Sequence, residues 1–319
     1  MTTSINQLTK MGLLWPGGPI GVILIHGLTG TPTELSGIAK DLNAYGFTVF
    51  CPLLAGHCVS EAELLRTTWG DWSKSVEKAF CVFSEYVDVI FAGGISAGAV
   101  LSLHLAQTFP SRLRALSLYS TTLWWDGWSI PRLSFLLPLV LRLPYIGKRY
   151  RFEEAWPYGI KNKRLRARVH AQMISCDPSA AGFSGTPGRS LRELWRLVDL
   201  VKEDLPKIKI PTLLIHARDD DIASIRNAIY IKEHISGPSR LIALDDSYHM
   251  ITIDQERRQV SIETARYFVE QLSRQEKEKL AQHERKPGQL QALLEAEEYR
   301  ERSPQELLQG LSKRRNWIR

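Results

Sequence analysis

The sequence predicts an α/β fold in which a mostly parallel central sheet is flanked by helices and interrupted by one helical cap insertion. Three observations predict it. Short apolar runs alternate with longer amphipathic ones from residue 20 to about 122, the rhythm stops between residues 123 and 205, and it resumes from Thr212 to about Leu272. Short runs that are apolar throughout are what strands buried on both faces look like, and the stretches between them supply the crossovers that parallel neighbours require.

Residues 20–25, 47–51, 87–92 and 115–119 are rich in Val, Ile, Leu or aromatic side chains, and each is expected to be a strand. Between them, residues 33–45, 70–85 and 97–108 carry apolar side chains at helical spacing. Residues 123–205 show no convincing strand; they hold Trp124, Trp125 and Trp128, several prolines and helical spacing, and read as an insertion. Strands return at residues 212–216 and 240–244, and the last core helix is expected from about Asp254 to Leu272. Residues 273–319 are dense in charge and broken by Pro287-Gly288 and Ser303-Pro304, so they cannot build a core of their own. Within them a helix over residues 289–302 is expected, docked or solvated along a thin stripe of Leu290, Leu293 and Leu294, with part of the tail disordered. The organisation is a core of residues 1–122 and 206–272, a helical cap of residues 123–205 and a charged tail of residues 273–319.

With 319 residues, 44% of them hydrophobic and 24% charged, the chain has ample material for a core, which excludes disordered and fibrous classes. The opening residues lack the pattern of a secretory leader, and the longest apolar stretch, residues 133–143, is broken by Pro138 and Arg142. A cytoplasmic protein without membrane spans is expected. Cys51, Cys58, Cys81 and Cys176 form no CxxC pair, so reduced and mostly buried thiols are expected rather than a disulfide framework or zinc knuckle. The net charge of +7 is concentrated in residues 148–151 and 161–168, a solvated helix face or a surface attractive to anions. No nucleic-acid-binding motif accompanies these runs.

Chemistry enters with Gly94-Ile95-Ser96-Ala97-Gly98. A GxSxG run is weak alone, but here a predicted strand ends just before it and a predicted helix begins within it, the strand-turn-helix order of a nucleophile elbow. Its glycines leave room where the strained turn brings strand and helix together, and the helix start directs N–H groups toward developing negative charge. A serine needs a general base and a carboxylate to orient it. His249, just past the last predicted strand, is the candidate base; His104, His170, His216, His234 and His283 fall within helices, a strand, the insertion or the tail. The acid lies among Asp219, Asp220 and Asp221, directly after the strand at 212–216, and the three carboxylates leave the choice open. Ala97 offers one oxyanion N–H, and Leu28 in His26-Gly27-Leu28-Thr29-Gly30 offers the other.

From residue 20 to 272 the chain resembles bacterial carboxylesterases and monoacylglycerol lipases of the α/β-hydrolase superfamily. The residues that carry the resemblance are the run at 26–30, Cys51-Pro52-Leu53-Leu54-Ala55-Gly56-His57, Thr68-Trp69-Gly70-Asp71-Trp72, the elbow, and residues 247–254. The resemblance implies an α/β-hydrolase fold, a triad of Ser96, Asp220 and His249, oxyanion donors Leu28 and Ala97, and a cap over an acyl pocket. It implies a cofactor-independent serine hydrolase of short to medium acyl esters or monoacylglycerol-like lipids. An acyltransferase or thioesterase with the same triad is the alternative, and a non-catalytic scaffold is a further one. Trp124, Trp125 and Trp128, with Phe135 and Leu136, are expected to line the acyl channel or to pack the cap. Arg132, Arg142, Lys148, Arg149 and Arg151 give the cap a basic surface for peripheral contact with anionic membrane. The chain departs from its relatives at Gly56-His57-Cys58, where Gly-His-Gly is usual, and at Tyr248, where a glycine often stands.

Overall fold

The apolar runs fold as neighbouring strands. The computed structural model describes residues 2–131, 136–137, 150–153, 156–174, 185–295 and 302–308. Strands β1 (Gly12–Trp15), β2 (Ile20–Ile25), β3 (Thr48–Pro52), β4 (Val89–Ile95), β5 (Leu116–Tyr119), β8 (Thr212–Ala217) and β9 (Ser239–Leu244) make a seven-stranded sheet in the order β1-β3-β2-β4-β5-β8-β9. β1 runs antiparallel to β3 and every other pair is parallel. The β2 residues are buried throughout, as their unbroken apolar sequence requires.

Two boundaries differ instructively from the sequence reading. Strand β4 was expected to end at Ala92 because glycines are poor strand formers. In the fold it continues, since Leu24 pairs with Gly93 and Ile25 with Gly94. β1 was not expected, because four residues before Pro16 are too few to show a period.

Helices α1 (Thr2–Met11), α2 (Ser36–Ala44), α3 (Glu61–Arg66), α4 (Trp69–Ser84) and α5 (Ala97–Thr108) precede residue 123. After α6 (Lys163–Ile174) and α7 (Gly188–Glu203) come α8 (Arg226–His234), α9 (Arg257–Glu270), α10 (Arg274–Ala281) and α11 (Gln289–Glu295). One face of the sheet is covered by α2 and α9, where Phe91 and Phe268 stack with ring centroids 4.3 Å apart. The other is covered by α4, α5, α7 and α8 through Phe80, Phe83, Leu101, Leu197 and Ile231, each fully or almost fully buried. Full burial of one such side chain contributes about 1.5–3 kcal/mol, so each layer is held by many separate increments.

Residues 123–205 are not free of strands, contrary to expectation. β6 (Arg151–Glu153) and β7 (Gly185–Pro187) pair antiparallel, with Phe152 opposite Thr186, and three residues per strand are too few to reveal alternation in the sequence. Helix α7 buries Leu191, Leu194, Leu197, Val198 and Val201 against the core, and Gln107 donates to the Val201 carbonyl at 3.0 Å.

The tail docks where it is described. Leu280, Leu290 and Leu293 are buried against the α2 and α9 layer, while Leu294 is exposed. The Arg266 guanidinium is buried beside Glu263 at 3.0 Å and donates to the Leu293 carbonyl at 3.4 Å, joining α11 to α9. The expected single helix over 289–302 is described only as far as Glu295. Cys51 is buried, Cys58 half-buried and Cys81 exposed, correcting the expectation of mostly buried thiols; Cys176 lies outside the described residues. Among the described residues no helix is long and apolar enough to cross a membrane.

Candidate active site

Ser96 stands between β4 and α5 with φ 55° and ψ −117°, a backbone region that side chains rarely occupy, at a cost of about 1–3 kcal/mol. The neighbouring glycines are sterically required. A Cβ on Gly98 would lie 2.0 Å from the Ile25 carbonyl oxygen, and one on Gly94 would lie 2.5 Å from the Gly98 carbonyl. The turn is pinned by the Ser96 N–H, which donates to Tyr119 O at 2.9 Å. The Ser96 hydroxyl lies 3.1 Å from that of Thr122, whose own hydrogen points to Ser120 O at 3.2 Å. Ser96 is therefore the donor of that pair, a resting partner the sequence did not reveal.

β8 ends at Ala217 and delivers three aspartates to very different places. Asp220 is buried and accepts the N–H groups of Ile222 at 2.9 Å and Ala223 at 2.8 Å. Its Oδ2 is 2.8 Å from His249 Nδ1. Asp221 is buried too, but it accepts the backbone N–H of His249 at 3.3 Å and of Gly159 at 3.0 Å. The next helix, α8, begins only at Arg226. Asp219 offers its carbonyl to Trp128 Nε1 at 2.8 Å.

His249 follows β9 in a loop held by carboxylates: Asp254 accepts the Tyr248 N–H at 3.0 Å and also those of Lys161 and Asn162. The contact with Asp220 fixes the proton on Nδ1 and leaves Nε2 as a free base. Burial disfavours charge on Asp220, yet the His249 charge and the hydrogen bonds from His216 and His249 outweigh it, so the carboxyl is held well below the usual range. Burial likewise opposes protonation of His249, but Asp220 first, then Asp221 and Glu34, raise its pKa above the ordinary histidine value.

β2 leads into the Leu28 loop. Leu54 N–H donates to His26 Nε2 at 3.2 Å, so His26 carries its proton on Nδ1 and gives it to Gly27 O at 2.9 Å. Burial and neighbouring His57 push the His26 pKa down to about 3, and the ring stays neutral. Cys58, the departure from Gly-His-Gly, has φ +61°, the left-handed region in which glycine is at ease and a side chain costs about 1–2 kcal/mol.

Ser96, Leu28, His249 and Asp221 all border one cavity of about 830 Å³, together with apolar groups such as Ile130, Phe152, Leu194 and Met250. Of the three tryptophans expected there, Trp125 lines it. Trp124 instead packs edge-on to Tyr230 with Lys202 over its ring, and Trp128 is 46% exposed beside Tyr248. Sequence spacing placed the three indoles in one segment but could not say which way each faces. Leu136 is exposed, and Phe135, Arg132, Arg142, Lys148 and Arg149 lie outside the described residues. Glu34 is a half-buried carboxyl in the cavity wall that the sequence reading passed over; the capping-box spacing from Thr31 to Glu34 was its available signal. Among the described residues no group of His, Cys, Asp and Glu converges as a metal site would require.

Residues 20–256 match the Hydrolase_4 family, described as serine aminopeptidase, S33. The chain is 28% identical over 252 residues to a thermostable monoacylglycerol lipase of Bacillus sp. (strain H-257), covering 79% of this chain and 91% of that one. It is 25% identical over 255 residues to a carboxylesterase of Bacillus subtilis (strain 168), covering 79% and 94%. Among solved structures, one from the LipS and LipT pair of metagenome-derived lipolytic enzymes has TM-score 0.68 at 24% identity, covering 81% of this chain and 96% of that one. The monoacylglycerol lipase of Paleococcus ferrophilus has TM-score 0.67 at 17% identity, covering 82% and 98%. The structural likenesses, at these identities, show a shared fold.

Proposed function

We propose, for a chain that belongs to the Hydrolase_4 family of α/β-hydrolases, that it hydrolyses monoacylglycerol-like carboxylic esters through an acyl-enzyme on Ser96. The observation that carries this reading is the shared cavity, into which a strained serine and a carboxylate-held histidine both open. In the proposed sequence the Ser96 hydroxyl leaves Thr122 and passes its proton to His249 Nε2 as Oγ attacks the ester carbonyl. Asp220 orients the imidazole and stabilises its positive form. The oxyanion takes the N–H groups of Leu28 and Ala97, worth about 10²–10³ in kcat for one such donor. Collapse expels the alcohol with the proton from His249; water then adds to the acyl group and gives its proton to His249, which returns it to Ser96 Oγ as the acyl–Oγ bond breaks and the acid departs.

A cavity of about 830 Å³ lies within the about 300–1,000 Å³ usual for small-ligand sites. Its apolar lining suits an acyl chain, with Trp125 and Phe152 as contacts from residues 123–205, which we read as the cap. A series of monoacylglycerols and chromogenic esters of increasing chain length tests this. kcat/KM is expected to climb about fourfold per methylene, from about 0.8 kcal/mol of burial each, until the cavity is filled. A flat profile, or faster turnover of aminoacyl arylamides or thioesters than of esters, would overturn the substrate assignment.

The cap is also the face proposed to meet anionic lipid. Helix α6 presents Lys163, Arg164 and Arg168 to solvent, and the exposed Trp156 packs against its Arg166. Such a surface combines charge attraction with interfacial aromatics. Cosedimentation with phosphatidylserine vesicles, weakened by salt and by reversal of the three α6 cations, is the expected result. Binding that ignores both would remove the proposal.

A further inference from the structure

Glu34 is a carboxyl in the cavity wall that the proposed mechanism does not use. Its side chain is half-buried, and desolvation pushes its pKa up to about 7 against the lowering influence of backbone hydrogen bonds and His249. An acid in such a place needs a structural reason to be retained. Its two oxygens reach two points of one loop: Oε2 accepts the Gly27 N–H at 3.3 Å and Oε1 accepts the Thr31 N–H at 3.2 Å. Leu28 lies between those anchors. The loop closes tightly over the acid, for a Cβ on Gly30 would fall 1.8 Å from Oε1.

The Gly27–Leu28 peptide is fixed from its other end as well. Gly27 O accepts from His26 Nδ1 at 2.9 Å and from the Gly30 N–H at 3.2 Å. In a planar trans peptide the carbonyl and the following N–H point in opposite directions, so a held Gly27 carbonyl aims the Leu28 N–H the other way. His26 and the Gly30 N–H set the tilt of that plane, and Glu34 holds the chain on both sides of it.

We propose that Glu34 is a positioning residue for ester hydrolysis, holding Gly27 and Thr31 so that the Leu28 N–H stays aimed at the developing oxyanion. This rests on the reading of Ser96 and Leu28 given above. Ordinary helix capping also satisfies a donor at the start of the Pro32–Leu35 turn, but capping needs only the Thr31 contact. The second arm, to Gly27, reaches back past Leu28 to the end of β2.

Glu34→Gln is nearly isosteric but turns an amide donor toward one of the two N–H groups, so one arm is lost. The expected result is a fall in kcat of about 10- to 100-fold, short of the loss from deleting an oxyanion donor outright, with KM changed less than about twofold. Inactivation by a fluorophosphonate, which also places an oxygen in the oxyanion site, is expected to slow by a similar factor. Gly30→Ala, which dislodges the carboxyl while leaving its charge in the chain, is expected to reproduce the kcat effect. Assays are made well below each variant's melting temperature. A Glu34→Gln or Gly30→Ala enzyme that melts earlier but keeps wild-type kcat and labelling rate would reduce Glu34 to a cap and overturn the proposal. Retained hydrolysis by Ser96→Ala would instead overturn the reading on which it rests, so the two failures are separable.

Discussion

Ser96→Ala is expected to lower kcat for ester hydrolysis by about 10⁶ and to abolish fluorophosphonate labelling, the loss found when a triad nucleophile is removed while binding is left intact. Thermal stability is expected to stay near wild type, because alanine keeps the Cβ and therefore the strain at φ 55° and ψ −117°. Ser96→Gly separates the two roles of the position. It is expected to be equally inactive but about 1 kcal/mol more stable than Ser96→Ala, since glycine adopts that backbone without penalty even after its larger entropy loss on folding. A chain of 319 residues responds with an increase of about 1–2 °C in Tm. Strain here is held by Gly94 and Gly98, which let β4, β2 and α5 approach until no side chain fits. A glycine variant no more stable than the alanine one would mean that the elbow is not strained in the folded protein.

The sheet was legible because its central strands are buried on both faces, which forces an unbroken apolar sequence such as Ile20–Ile25. What was not legible is short or glycine-bearing. β6 and β7 have three residues each, and the end of β4 is written in glycines that the elbow requires. As candidates, Ser96 and His249 stand out from local runs. The acid does not, since Asp219, Asp220 and Asp221 have the same chemistry and adjoin one another; only the resemblance to known esterases selected Asp220. Folding separates them by direction, with Asp220 turned to the imidazole and Asp221 to backbone N–H groups of Gly159 and His249. Thr122 escaped notice because no spacing rule encodes its contact with Ser96, and for Glu34 the capping-box spacing signals the Thr31 contact but not the one to Gly27.

That ambiguity makes Asp220→Asn the most informative substitution after Ser96. It is expected to lower kcat/KM by about 10⁴ at neutral pH, because an amide no longer holds the proton on Nδ1 and does not stabilise the imidazolium. The pH dependence carries a sign that can be worked out. His249 must be neutral to act as base, and its pKa is raised chiefly by Asp220, so the acid limb of wild-type kcat/KM is expected above the ordinary imidazole value of about 6.5. Removing the carboxylate moves the residual limb to lower pH. Stability follows the same pair. The depressed Asp220 carboxyl contributes above its unfolded pKa of about 3.9, and that contribution is lost as pH falls through the folded value. The raised imidazole contributes below about 6.5 and is lost as pH rises through its folded pKa. Wild type therefore gains most from the pair between about pH 4 and 6.5, and the melting temperature of Asp220→Asn should be lowered most in that window. Asp221→Asn is the matched control: it loses a charge near His249 and loosens the Gly159 and His249 contacts, but Nδ1 keeps its acceptor, so its kcat/KM is expected to fall far less. Were the two asparagine variants to exchange these profiles, the orienting carboxylate would be Asp221, and the short Asp220 contact would serve to hold its own loop.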